Sequence, residues 1–504
     1  MQEIGVHDYA SFSIESLLEE RPPIRQPERR QLRYLDEYLR ELACRSVVVE
    51  KHYIDRDYME DHSVFYSRNL YPYPNACSRV HFFAALPERV KKTLAALARL
   101  ARKEGQAGYE AACRRFSEES YLGFTVIKPL PGSPVGRTVL RTYGPAAAND
   151  FRRAFPCTSP YTVHLLGVQL TVRGLAFQQQ DVGVSACATT ALWSALQKIR
   201  EFEPVGPATP AQITKLAAQF TLPFGRPMPS EGLSLDQMCQ AIQALYISPN
   251  LVRTHQYENA RALIYSTLCS QLPPILILES ARDPDFCHAV TAIGLKLHPQ
   301  DSERSRLIAR GLYDRAADLA GVYIHDDRVG PYLGAKLERR ADGAPALSIF
   351  PQRGGSAEEW LLTHVLTPLH SKIRLSIPEL RDLALDIVSG LKSATPRPDT
   401  VWLSFEAFVM RSHEYTLDLL LNAKTSQIDT VLDLSATVPL PRYVGVIRLT
   451  DHVLGAVDVL VDTTSTAQNL HISAVFLRHS RGAASRVFAK IIADSCGCPV
   501  VRAS

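Results

Sequence analysis

Nothing in this 504-residue chain approaches the ~18 uninterrupted apolar residues a membrane helix needs, so no membrane span is expected. Its 10 cysteines never fall at Cys-x-x-Cys spacing, which removes the usual signature of a zinc site or a redox pair. The one close pair, Cys496-Gly497-Cys498, is isolated near the C-terminus, and no metal site or cofactor is expected. Met1-Gln2-Glu3-Ile4-Gly5 carries no basic run leading into an apolar segment. No secretory signal is read there, and the thiols are expected to be reduced, in a cytoplasm. No P-loop occurs, so export driven by ATP is not expected of this chain. Lys+Arg 56 against Asp+Glu 52 leaves a formal net charge of +4, too balanced to suggest a nucleic-acid partner. There is no internal repeat and no low-complexity tract. What is present is a core-forming composition, 46% hydrophobic and 21% charged, long enough for about two to four domains. Prolines outnumber glycines, 33 to 26, which suggests many fixed turns between short elements.

Residues 1–45, rich in Glu and Arg, read as a charged, partly helical lead-in, solvated or lying on a neighbouring surface. An N-terminal α/β region follows over 46–155. Within it, 46–54 is β-branched and reads as a strand. Val90, Leu94, Leu97 and Leu100 fall at helical spacing within 86–116. Segments 121–128 and 136–141 read as strands joined by the turn Pro129-Leu130-Pro131-Gly132-Ser133-Pro134. Residues 156–340 read as one domain. It holds a strand region at 161–172, a helix from Cys187 to about Ile199, and a short helix over 211–220. A further helix is opened by Ser234 and Gln237, which form a capping box. Strands at 275–279, 288–295 and 321–326 complete the domain. A charged insert over 298–320 reads as a surface excursion between the last two. The glycine-bearing stretch 339–357 reads as a boundary, and 358–504 as a separate C-terminal α+β domain that opens with a helix near Leu361.

The stretch Gln178-Gln179-Gln180-Asp181-Val182-Gly183-Val184-Ser185-Ala186-Cys187-Ala188-Thr189-Thr190 carries the chemistry. It places a thiol in the first turn of a helix, where the helix dipole favours the thiolate. A thiolate nucleophile needs a cationic or basic partner and a group to orient that partner. His288 opens one strand and Asp326 closes a later one. If those strands pair antiparallel, imidazole and carboxylate stand at the same end of a sheet. Gln180 precedes the helix, where its amide can face a developing oxyanion together with the backbone N–H of Cys187. Gln179 is an alternative to Gln180, and Asp327 an alternative to Asp326.

Taken together, Gln180, Cys187, the strand His288-Ala-Val-Thr-Ala-Ile-Gly-Leu295 and the strand end Tyr323-Ile-His-Asp326 resemble a papain-like cysteine peptidase. The likeness is greatest to the bacteriocin-processing (double-glycine) peptidase branch and covers about residues 160–335. It implies an α+β papain-like core, with a helical lobe and an antiparallel β-lobe, carrying the N-terminal α/β extension and the C-terminal α+β domain. It also implies a bacterial, cytoplasmic hydrolase without a cofactor. This would cut a peptide or isopeptide bond in a protein or peptide substrate through Cys187, His288 and Asp326, with Gln180 at the oxyanion. The chain departs from the pattern in having Ala186 and Ala188 beside the thiol. Gln180 stands seven positions before Cys187, where the family usually shows six, and Asp181 holds the sixth. An acyltransferase or deamidase would use the same residues, and an inactive papain-like module would bind protein without turnover. The flanking regions are expected to cover the cleft, recruit a protein partner or mediate self-association.

Overall fold

The computed structural model describes residues 5–18, 30–70, 72–103, 105–130, 132–145, 150–181, 186–201, 206, 208–219, 232–283, 285–299, 312–351, 355–394, 403–422, 428–451, 454–465, 472–480, 483–497 and 500–501. Pro131, Pro204, Pro207, Phe220, Gly354 and Cys498, each read above as part of a turn, breaker, helix end, boundary or terminal pair, lie outside them. No helix among the described residues is long and apolar enough to cross a membrane.

The N-terminal third is an antiparallel five-stranded sheet in sequential order: β1 (Gly5–Asp8), β2 (Ser46–Tyr53), β3 (Cys77–Phe83), β4 (Tyr121–Ile127) and β5 (Val135–Leu140). The lead-in therefore contributes more than a solvated arm. It supplies the edge strand β1 and helix α1 (Arg30–Glu41), which buries Leu32, Leu35 and Leu39 at helical spacing. Helices α2 (Arg56–Asp61), α3 (Pro87–Lys103) and α4 (Gly105–Ser120) complete this module. A short strand β6 (Arg152–Ala154) leaves it to pair elsewhere, and β7 (Ser159–Leu165) and β8 (Val168–Gly174) form a hairpin.

The middle of the chain holds helices α5 (Cys187–Ile199), α6 (Pro210–Ala218), α7 (Leu235–Ala244) and α8 (Tyr257–Cys269). The capping box at α7 is present, with Ser234 Oγ accepting from the Gln237 N–H at 3.2 Å and Gln237 Oε1 accepting from the Ser234 N–H at 3.0 Å. After β9 (Ser248–Arg253) come the strands of a closed antiparallel barrel. These are β10 (Ile275–Ser280), β11 (Cys287–Leu297), β13 (Leu319–Asp326), β14 (Gly330–Arg339), β15 (Pro345–Ile349) and β16 (Glu358–Leu369), with β16 returning to pair with β10. Between β11 and β13 lies β12 (Leu312–Asp314).

The barrel corrects the expected boundaries. Residues 358–369 form its closing strand rather than the first helix of a separate domain. The expected boundary at 339–357 contains a barrel strand itself, β15, paired with β14 and β16. Turn-forming residues suit a hairpin as well as a linker, so composition alone did not separate the two. At the other end, β6 pairs with β11, so residues 152–154 belong to the barrel side of the expected 155/156 boundary. The insert is not wholly a surface excursion. Its strand β12 runs parallel to β17 (Leu403–Arg411) at the edge of the C-terminal sheet, and Tyr313, Ala316 and Asp318 are buried.

The C-terminal sheet continues with β18 (Tyr443–Asp451), β19 (Gly455–Asp462), β20 (Ile472–Ser480) and β21 (Val500–Val501). Strand alternation gives it two apolar faces. Phe405, Ala407 and Val409 join the main core with α9 (Ile377–Ala394) and α12 (Ala483–Cys496). Phe408, Val446 and Phe476 form a second core with Tyr415, Leu419 and Val431 of α10 (Ser412–Asn422) and α11 (Ile428–Thr437). Helix α8 ties this sheet to the barrel: Tyr265 donates to Glu406 at 3.0 Å, and the Val409 N–H donates to Ser270 just beyond the helix at 2.9 Å.

Candidate active site

Helix α5 is the most enclosed helix of the middle region. From Ala188 to Ile199 every side chain except Gln197 is buried, with Trp193 fully so. Small residues on its first turns let it lie close against β11, where Thr291 Oγ1 donates to the Ala191 carbonyl at 2.7 Å. Lys198 anchors its far end through the Thr158 carbonyl and Glu201, at 3.0 and 2.7 Å. Its N-cap is Ala186, which offers no side-chain acceptor to the first N–H groups. Cys187, half-buried, is the first helical residue.

The antiparallel pairing of β11 with β13 brings His288 and Asp326 to one end of the barrel. His288 Nε2 lies 3.0 Å from Asp326 Oδ1, and Cys187 is near enough to act on the ring's ionisation. Burial by itself would lower the His288 pKa, but Asp326, the thiol and Asp327 outweigh it and raise the value to about 10. Burial pushes Asp326 the other way from its partners. His288 and Arg328 prevail, holding its carboxyl well below the usual range. The raised value favours the imidazolium at neutral pH, with Asp326 as its carboxylate partner. Asp327 sits 3.6 Å from Nε2, and its two carboxylate oxygens have no hydrogen-bond partner among the described residues. Burial raises its pKa to about 7. Of the two aspartates, Asp326 is the one bonded to the ring.

Gln179 is committed elsewhere. Its Oε1 accepts from the Val135 N–H at 3.2 Å and its Nε2 donates to the Gly132 carbonyl at 3.3 Å, clasping the β4–β5 turn. Gln180 is half-buried and makes no side-chain hydrogen bond among the described residues. Residues 182–185, between it and the thiol, lie outside them. Asp181 is buried and paired with Lys128 at 3.5 Å, which anchors this loop to the N-terminal module. Phe177 bridges Thr138 of β5, so the approach to the helix is laid along that sheet.

His325 takes no part in the cluster. It points to the opposite face of β13, bonded to Ser194 at 3.1 Å and packed edge-on against Phe177 and Tyr332. Burial lowers its pKa to about 3. Cys287 is exposed while His288 is buried, as alternation along β11 requires.

Three residues at the site were not singled out from the sequence. Arg328 Nε stands 3.2 Å from His288 Nε2, and its Nη2 lies 3.2 Å from Asp326 Oδ2 and 3.3 Å from Glu358 Oε2. The guanidinium also lies 4.8 Å from the ring centre of Trp360, which in turn is 5.7 Å from the imidazole. Asp-Asp-Arg reads locally as a solvated turn, and Glu358 and Trp360 arrive only through barrel closure. The ligating atoms of His288, Asp326 and Asp327 fall within 4.8 Å of one another, close enough to hold a metal ion. Arg328 already brings a positive charge to that spot.

The fold and site define an α+β protein with a closed six-stranded barrel, at one end of which thiol, imidazole and carboxylate meet. No family model and no curated protein matches the chain.

Proposed function

We propose that this protein is a papain-like cysteine peptidase that hydrolyses a peptide or isopeptide bond in a protein or peptide substrate. The observation that carries the reading is the buried pair of His288 and Asp326, Nε2 to Oδ1 at 3.0 Å, with Cys187 at the helix start near enough to act on the ring. The arrangement of an almost wholly buried helix against an antiparallel barrel, with the thiol at the helix start, supports it. Asp326 holds the ring by Nε2, which leaves Nδ1 for the thiol. The first turn of α5, which no side chain caps, leaves its N–H groups open beside the thiol. The thiolate attacks the carbonyl carbon, and the oxyanion forms beside the Cys187 N–H, with Gln180 as the available side-chain amide. His288 gives its proton to the leaving amine. It then takes one from the water that cleaves the thioester, restoring the free thiolate.

Replacement Cys187→Ala is expected to abolish turnover of a peptide panel while leaving the melting temperature within a few degrees of the parent. Product mass separates addition of water from transfer to an amine. The neighbouring chemistry supplies an internal control. Cys287 is exposed, but burial, Glu279, Cys187 and Asp285 raise its pKa. Cys187 should react with iodoacetamide at neutral pH at least ~10-fold faster than Cys287. Equal rates, read by mass mapping, exclude the proposal.

A further inference from the structure

We infer that Arg328 is a positioning residue that sets the charge state of the thiol–imidazole pair and couples it to the closing strand of the barrel. The inference rests on the peptidase reading. Several contacts converge on this side chain and its backbone. Its N–H donates to Asp326 Oδ1 at 3.0 Å, and Nη2 reaches Asp326 Oδ2 at 3.2 Å, so both oxygens of the ring's partner are held by one residue. The same Nη2 contacts Glu358 on β16, and the guanidinium plane lies against Trp360 on that strand. A carboxylate gripped at both oxygens cannot rotate away from the imidazole. The grip therefore fixes the ring that faces the thiol.

The electrostatic consequence follows from the 3.2 Å separation between Arg328 Nε and His288 Nε2. With a proton on Nε2 this is a contact between two cations, which Asp326 and Glu358 offset. The groups around the ring are Cys187 on α5, Asp326, Asp327 and Arg328 at the end of β13, and Glu358 on β16, which reaches it through Arg328. Arg328 is the positive member closest to the ring. It makes the imidazolium easier to deprotonate, and removing its charge moves that transition to higher pH.

The test is the pH dependence of Cys187 alkylation by iodoacetamide in the full chain, mapped by mass spectrometry, for the parent, Arg328→Met, Arg328→Lys and Glu358→Gln. The Met variant, checked for folding by circular dichroism, should show its profile displaced upward by about one pH unit. The Lys variant keeps the charge without the fork and should restore most of the displacement but not the full rate. Glu358→Gln should move the profile the opposite way, because it leaves the guanidinium less neutralised. A folded Met variant whose profile superimposes on the parent overturns the inference while leaving the peptidase reading intact. A Lys variant displaced as far as Met overturns the charge role. A parent Cys187 no faster than the other thiols removes both.

Discussion

Among the ionisable residues at one end of the barrel, His288 and Asp327 each tie stability to pH. The folded pKa of His288, about 10, lies above the ~6.5 of an unfolded histidine. Its contribution is complete below ~6.5 and is lost as pH rises through about 10. His288→Gln should therefore cost more stability at pH 6 than at pH 10, by on the order of 2 kcal/mol in urea titrations. Asp327 has a different window. Its folded pKa of about 7 exceeds the unfolded ~3.9, so the fold prefers it protonated and loses that advantage between about pH 4 and 7. Asp327→Asn should flatten the slope there and stabilise the protein at pH 8 by ~2 kcal/mol, measured by the same titrations. The residue types and their order along the chain were readable in the sequence. The choice of Asp326 over Asp327 was not, because two adjacent residues become inequivalent only once the strand end points one of them at a ring. Gln179 and Gln180 part for the same reason: one amide is used by the β4–β5 turn.

At the scale of elements, the turn that carries the acid is braced from both sides. On one side is β16, through Glu358 and Trp360. On the other is α1, whose Gln31 donates to the Asp327 carbonyl at 3.2 Å and whose Tyr34 donates to the Pro331 carbonyl at 2.9 Å. Gly330 closes that turn, and a Cβ there would meet the Tyr34 ring at 2.1 Å. Gly330→Ala should destabilise the protein by about 1–3 kcal/mol, seen as a lower melting temperature. Combining it with Tyr34→Ala should give less than the sum of the two single effects, because the clash is shared. Helix α7 and the strand character of β11 and β13 were legible from capping residues and apolar runs. The docking of α1 was not. Its apolar stripe announces a partner, but nothing local says that the partner lies some 300 residues away.

For the whole molecule, closure is the decisive event. Strand β16 pairs with β10, β15 and β9, so a chain ending at residue 357 lacks the seam of the barrel and also Glu358 and Trp360. Such a truncation is expected to lose cooperative thermal unfolding, checked by calorimetry against the full chain. A chain cut there that melts as sharply as the parent would show that the seam is dispensable. The C-terminal sheet is likewise bound in through β12 and α8 rather than attached by a linker. The sequence by itself determined which segments are helices or strands in most of the middle region, and that a thiol opens a helix while a histidine and an aspartate mark two strand ends. Those are short-range properties, written in capping, periodicity and turn residues. Only tertiary structure decided that 358–369 closes a barrel, that the lead-in helix packs on the acid turn, and that Arg328 joins the cluster. Each depends on pairing or packing between segments, and the free energy of such contacts comes from burial and hydrogen bonds that do not exist until the segments meet.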